Sequence, residues 1–165
     1  MNLEQLIDKI IPPADYLNRK DFSNTDIIDQ LNDNEKKLIE DILIERLLDT
    51  TDDMLIIDTL AYLKSEKSLP ILYNFLKNDS DSMFKLVVAT SIFEINRDQD
   101  MINVAVDSFK KLKNDKDAYR TFKLIPAFYY LAKFKFGTTN KLIEEYTEDK
   151  EHLISYNAKR AVGKK

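Results

Sequence analysis

Leu76-Lys77-Asn78-Asp79-Ser80-Asp81 returns 36 residues later as Leu112-Lys113-Asn114-Asp115-Lys116-Asp117. Tyr146-Thr147-Glu148-Asp149-Lys150-Glu151 keeps the same shape, and so does Leu47-Leu48-Asp49-Thr50-Thr51-Asp52 upstream. In each copy the apolar residue closes the inner stripe of one helix. The Asn/Asp residues make a turn, and the last polar residue caps the next helix. Paired carboxylates could also bind a divalent metal or act as acid and base. Recurrence of Asp79/Asp81, Asp98/Asp100 and Asp115/Asp117, with Asp49, Asp52, Asp53 and Asp58 at the first turn, favours capping, because acids complement helix N-termini. Four such marks imply a repeat protein built from helices.

Between the marks, apolar residues recur at helical spacing. Helix 2–11 carries Leu3, Leu6, Ile7 and Ile10 and stops at Pro12-Pro13; residues 14–24 are expected to be a loop. One or two turns over 25–31 face Ile27, Ile28 and Leu31 inward. Asn32-Asp33-Asn34-Glu35 has the form of a capping box, opening helix 34–48 with Leu38, Ile39, Ile42, Leu43 and Leu47 on one stripe. Pairs follow. Helix 52–64 (Leu55, Ile56, Leu60, Leu63) is joined to 69–78 (Leu69, Leu72, Phe75, Leu76), with Ser68 as cap and Pro70 in the first turn. Helix 82–95 (Met83, Leu86, Val87, Ile92, Phe93) is joined to 99–113 (Ile102, Ala105, Phe109, Leu112). The longest helix is predicted over 117–136, kinked near Phe122–Pro126 and ended by Gly137. Thr138 or Thr139 would cap 140–147, and 150–162 closes the chain before a frayed Gly163-Lys164-Lys165.

A helical hairpin cannot bury its stripe alone, so these pairs should stack. The expectation is an all-α fold, a right-handed α-α superhelix of about nine or ten helices. It would be one domain over 1–165, with 1–31 as an N-terminal cap region and 34–162 as the hairpins.

Thr59-Leu60-Ala61-Tyr62-Leu63 followed by Leu69-Pro70-Ile71-Leu72-Tyr73-Asn74-Phe75-Leu76-Lys77-Asn78-Asp79 resembles HEAT or armadillo-type repeats. In that family the second helix often begins with an apolar-proline pair and ends in Leu-Lys-Asp-like residues. The resemblance covers 34–162 and is divergent: the family's Val-Arg pair early in the first helix is absent, with Met83-Phe84-Lys85 and Tyr119-Arg120 standing nearby. It implies a concave face lined by the second helices. Tyr73, Asn74, Asn103, Asp107, Lys110, Lys111, Lys141, Glu144 and Glu145 fall on those helices and form the candidate partner-binding set. A plain solvated face is the competing reading of the same residues.

Composition narrows the function further. With 165 residues, 44% hydrophobic and 33% charged, the chain can bury a real core; 2 glycines and 4 prolines are too few for a turn-rich β architecture. No cysteine is present, which excludes a disulfide framework, a thiol nucleophile and a Cys-ligated metal. No signal peptide and no apolar run long enough for a membrane span is apparent, so the expectation is a soluble, cytoplasmic protein. His152, the one histidine, is expected at the surface; without a second His, a Cys or a motif, a triad is excluded and a zinc site is not supported. The 2 glycines cannot form a phosphate-binding loop. No cofactor and no metal are expected.

Charge is unevenly placed. Residues 1–60 hold 15 acids and 6 bases, and residues 61–165 hold 14 acids and 19 bases. The basic segment includes a helix rich in aromatics: Lys113, Arg120, Lys123, Lys133 and Lys135 alternate with Tyr119, Phe122, Phe128, Tyr129, Tyr130, Phe134 and Phe136. Such a mix can hold a nucleic-acid backbone and stack bases. The competing expectation is that the face 119, 122, 126, 129/130, 133 and 136–137 turns several aromatics inward. A net charge of −4 also argues against nucleic acid. The expected function is a non-enzymatic protein-binding module, with another protein as partner; an immunity protein or assembly adaptor is an analogy from the fold. The alternative is a nucleic-acid binder resembling the HEAT-like DNA glycosylases, using the helix at 117–136. A third reading is a fragment or subunit of a larger scaffold, with the N-terminal helix Asn2–Ile11 as a cap or a docking segment. Another HEAT-like class attaches bilins, but nothing marks a tetrapyrrole site.

Overall fold

The computed structural model describes residues 3–19, 22–49, 53–79, 81–114 and 119–164. They form eleven α-helices and one 3-10 turn, with no strand among them. By contacts the chain divides into two compact units, Met1–Ile71 and Leu72–Lys165. Thr50-Thr51-Asp52, Ser80 and Asp115-Lys116-Asp117, parts of three copies of the repeated phrase, lie outside the described residues, as do the expected helix starts at 52 and 117.

The first unit begins with α1 (Leu3–Ile10), which buries Leu6, Ile7 and Ile10. The expected loop contains α2 (Tyr16–Arg19), because Asp15 accepts from both the backbone N–H and the side-chain amide of Asn18 at 3.0 and 2.6 Å. α3 (Thr25–Asp29) and α4 (Asp33–Asp49) follow. The capping box forms: Asn32 Oδ1 accepts from Glu35 N–H at 3.0 Å, and Glu35 Oε2 accepts from Asn32 N–H at 2.9 Å. On α4 the buried row is Ile39, Leu43 and Leu47. Leu38, expected on that stripe, is exposed; α5 (Met54–Tyr62) packs against α4. α5 starts at an Asp53 cap, and it buries Ile57, Thr59 and Ala61 beside the expected Ile56 and Leu60.

Two polar clasps hold the N-terminal segment to α5. Asn24 Nδ2 donates to Ile10 O at 3.0 Å and to Thr59 Oγ1 at 2.7 Å, and all of it is buried. Arg19 donates to both Asp53 carboxylate oxygens at 2.6 and 2.8 Å, and to Pro12 O. Burial raises the Asp53 pKa, but the Arg19 hydrogen bonds and charge, with the Leu55 and Ile56 backbone N–H groups, outweigh it and leave it lowered.

Ser68 does not cap α6 (Leu69–Asn78). It ends a 3-10 turn, Glu66–Ser68, and its buried hydroxyl donates to Ser65 O at 2.8 Å. The boundary between the units falls inside α6.

In the second unit α7 (Ser82–Asn96) and α8 (Asp100–Asn114) form a hairpin across residues 97–99. α7 was expected to bury one stripe. It instead buries Phe84 and every residue from Leu86 to Phe93, because α8 covers one side and α9 (Arg120–Lys133) another. α9 is shorter than the helix predicted over 117–136: it starts after Tyr119 and ends where Lys135 turns left-handed at φ 53°. At 17 residues α4 is longer than α9 at 14. Pro126 lies inside α9 on its exposed side, and its missing N–H leaves Phe122 O without the usual donor.

Gly137 does not end α9; it opens α10 (Gly137–Glu144). Neither Thr138 nor Thr139 caps α10 from its N-cap position, which Phe136 occupies; Thr139 Oγ1 donates back to Phe136 O at 2.9 Å. α11 (His152–Ala161) closes the chain. The end is tied rather than frayed through Lys164: Gly163 is left-handed, and Lys164 N–H donates to Lys159 O at 2.8 Å.

α9 and α11 run the same way, and α7 packs beside α9. Phe93 near the end of α7 meets Phe134 just past α9, with ring centroids 4.7 Å apart, and Glu94 pairs with Lys133. Thr121 at the start of α9 donates to Glu151 at the start of α11, and Tyr129 further along donates to Asn157. Phe109 of α8, Phe128 of α9 and Tyr146 after α10 pack with centroids 5.1 to 6.0 Å apart.

Two tests follow from this packing. Asp53 is held below its ordinary value, so the stability it contributes is present above the unfolded carboxyl pKa of about 4 and is lost as pH falls through the lower folded value. In Asp53→Asn, the urea midpoint measured from pH 6 to 3 should fall less steeply than in the parent. Ser91 Oγ is buried with no hydrogen-bond partner among the described residues. Ser91→Ala should therefore be neutral or stabilising, by up to about 1 kcal/mol in urea unfolding; a clear loss would mean the hydroxyl is bonded.

Candidate functional site

The candidate partner-binding residues all lie in the second unit. On α8, Asn103, Asp107, Lys110 and Lys111 are exposed at spacings of four, three and one, which puts them on one side of the helix. Lys141 and Glu144 are exposed on α10, and Glu145 directly after it. The two rows are joined, since Lys113 Nζ lies 3.1 Å from Glu145. Glu144 pairs with Lys164 at 3.1 Å. The result is a mixed-charge polar strip with an Asn and an Asp on α8 among its lysines.

On α6, Asn74 is exposed and accepts from Asn78. Tyr73 was expected to offer an exposed aromatic ring, and it does not. It is half-buried; its hydroxyl donates to Asp98 Oδ2 at 2.5 Å and accepts from Asn96 Nδ2 at 3.2 Å. Burial, then the bond to Asp98, pushes its pKa up. Tyr73 thus ties α6 to the α7–α8 turn.

The basic patch is not a row of available cations. Arg120 pairs with Asp149 at 3.0 Å and Glu151 at 3.5 Å, and its guanidinium lies 5.8 Å from the centre of the Tyr146 ring. Lys133 pairs with Glu94 at 3.0 Å and lies over Tyr130. Lys113 is held by Glu145. Lys123 is half-buried, and Lys135 is exposed in the turn after α9. Burial raises the Asp149 pKa, but the Glu151 backbone N–H and Arg120 outweigh it and leave the carboxyl lowered.

The aromatic face of α9 is the reverse of the one expected. The buried side is Leu124, Ala127, Phe128 and Leu131, with Phe134 beyond. Tyr119, Phe122, Pro126 and Tyr129 face water. Leu153 and Tyr156 of α11 are exposed as well, and no feature of the sequence singled them out. Their signal was local: both fall off the Ile154–Ala158 row that α11 buries.

Among the described residues the repeated carboxylates Asp79, Asp98 and Asp149 close turns, while Asp53 and Asp81 cap helices. Asp79 Oδ1 accepts from Asp81 N–H at 2.7 Å, Asp98 Oδ1 from Asp100 N–H at 3.0 Å, and Asp149 Oδ1 from Glu151 N–H at 2.9 Å. Asp81 caps α7 through Phe84 N–H. Among the described residues no group of three or more His, Asp or Glu side chains is gathered to hold a metal ion. His152 is exposed at the start of α11, beside Tyr156. In the first unit a cleft of about 380 Å³ is lined by Ile11, Pro12, Pro13, Ala14, Arg19, Arg46, Asp49, Asp53 and Ile56. Its two arginines face two aspartates, so it has no net charge to select an ion. No helix among the described residues is long and apolar enough to cross a membrane.

No protein-family model matches the chain, and searches of curated proteins and of solved structures find no significant similarity.

The hydroxyl of Tyr73 provides the check on its role. Tyr73→Phe should destabilise the protein by about 1 kcal/mol in urea unfolding, the usual worth of one such bond; an unchanged midpoint would return Tyr73 to the candidate binding set.

Proposed function

We propose that this chain is a non-enzymatic protein-binding module, a HEAT-like right-handed solenoid whose second helices form the docking face. The proposal keeps the single repeat domain over 1–165. The observation that carries it is the polar strip on α8 and α10: exposed, mixed in charge, and borne on helices whose other sides are buried in a common core. The common direction of α9 and α11 supports the stacked-hairpin reading, since successive first helices of such repeats run parallel. We propose a cytoplasmic location as part of the same reading, with which a cysteine-free chain is compatible. An immunity or adaptor role is the narrower form of the same proposal. Nucleic-acid binding through α9 is the weaker reading, because Arg120 and Lys133 are already engaged by carboxylates.

The test is a triple charge reversal, Lys110→Glu, Lys111→Glu and Lys141→Glu. The tagged parent should recover one stoichiometric protein from native lysate, and the variant should lose it while its helical circular dichroism is unchanged. Equal recovery by both, or no stoichiometric partner for the parent, overturns the proposal.

A further inference from the structure

We infer that the α8–α10 strip docks an acidic segment of another protein, and that Lys110, Lys111 and Lys141 hold it. The inference rests on that strip being the docking face and adds the chemistry of its occupant. Exposed charge names a partner only after the charges spent within the chain are set aside. At the end of α10, Glu144 is held by Lys164 and Glu145 by Lys113, each at 3.1 Å, and Glu148 is held by Lys159 at 3.2 Å. Lys110, Lys111 and Lys141 are exposed and make no ion pair among the described residues. Of the strip's acids Asp107 alone has no ion pair among the described residues, so what the strip offers a partner is predominantly positive. The three lysines stand close together. The Lys113–Glu145 bridge joins the two helices; Lys110 and Lys141 each lie one turn before it, on its side of their helices, and Lys111 adjoins Lys110. With a rise of about 1.5 Å per residue, each is within about 6 Å of the bridge along its helix axis, whichever way the helices run.

Neither α8 nor α10 exposes a large apolar side chain, so the partner is recognised by charge and hydrogen bonds, through a wet and salt-sensitive contact. The seam of α9 and α11 differs. Phe122, Tyr129, Leu153 and Tyr156 are exposed there, but Arg120, Lys133 and Lys159 are held by carboxylates, so charge does not choose an occupant for it. On the strip the pattern of signs favours a protein over a nucleic acid. Asp107 stands one turn from Lys110 and Lys111, and only a partner that mixes signs can set a donor against it. A phosphate backbone repeats one charge and would meet Asp107 with repulsion. The strip also has no exposed aromatic ring for a base to stack on. A second copy of the chain, paired symmetrically through this face, would set lysines against lysines.

The probe is a short peptide in which Glu alternates with Ser, titrated into the isotope-labelled protein while its amide shifts are followed by NMR. Shifts should change around Lys110, Lys111 and Lys141 and not on α4, and affinity should fall as salt rises from about 50 to about 200 mM. The triple variant Lys110→Gln/Lys111→Gln/Lys141→Gln, at exposed positions, should weaken binding about tenfold or more. Asp107→Asn removes the opposing charge and should tighten binding about twofold, a gain that damage to the fold cannot produce. The inference is overturned if the peptide does not bind, if its shifts fall elsewhere, or if a Lys-Ser peptide or a single-stranded oligonucleotide of equal charge binds the strip as tightly. It is equally overturned if the Gln variant binds unchanged, if the Asp107 variant binds no tighter, or if light scattering shows self-association that the Gln variant abolishes. A peptide that fails while a lysate protein is still lost on Lys110→Glu, Lys111→Glu and Lys141→Glu sinks the acidic occupant alone; failure of both sinks the docking face itself.

Discussion

α7 is the constraint on which the second unit depends. Phe84 and eight consecutive residues from Leu86 to Phe93 are removed from water, Thr90 and Ser91 included. A helix buried on all sides must be enclosed by neighbours, and α8 and α9 do this. The polar members survive by different means. Thr90 donates its hydroxyl to Leu86 O at 2.8 Å inside the helix, whereas Ser91 has no such bond. Once α7 is enclosed, α9 must present a flat apolar side to it, and Leu124, Ala127, Phe128 and Leu131 are that side. The stacking of Phe109, Phe128 and Tyr146 then draws in the end of α10.

The turns repeat in a second way, apart from the Asn/Asp phrase. α5, α7 and α9 each end at a basic residue in the left-handed region: Lys64 at φ 58°, Arg97 at 62° and Lys135 at 53°. Glycine is the usual choice at such a position, and a residue with a Cβ costs about 1 kcal/mol more there. The bonds that offset this are visible at Lys64. Its N–H donates to Ala61 O, and the next N–H, of Ser65, donates to Leu60 O, the reciprocal pair that closes a helix C-terminus. A basic side chain also suits the negative end of a helix dipole. These turns set where each hairpin folds back, and thereby which residues of the following helix reach the core.

The polar strip of α8 and α10 and the apolar seam of α9 and α11 arise from the same packing. Each helix spends one side on the core, and what remains outside differs with its sequence. On α8 the outside is Asn103, Asp107, Lys110 and Lys111; on α9 it is Phe122, Pro126 and Tyr129. A polar outside needs no partner to be stable in water. The apolar one leaves transfer free energy unused, roughly 25 cal/mol for each Å² that a partner could cover.

The chain's helical content, the capping box at Asn32, the role of Asp79 and Asp149 as turn residues, and Pro70 in a first turn are all legible in the sequence, because each rests on contacts within four residues. The exposed strip on α8 is legible too, since a helix with one apolar side can only turn that side inward. α9 is different. Its aromatics lie on every side, so two opposite faces are equally plausible as core, and local spacing cannot choose between them. The choice is made by Phe93, Phe109 and Tyr146, whose rings take up Phe134 and Phe128. The same holds for Tyr73, whose hydroxyl meets Asp98 across 25 residues, and for Arg19, which reaches Asp53 across 34. The helices and their ends were thus determined by the sequence itself. Which apolar side is spent on the core, and which is left in water, was decided only when distant rings and charges met.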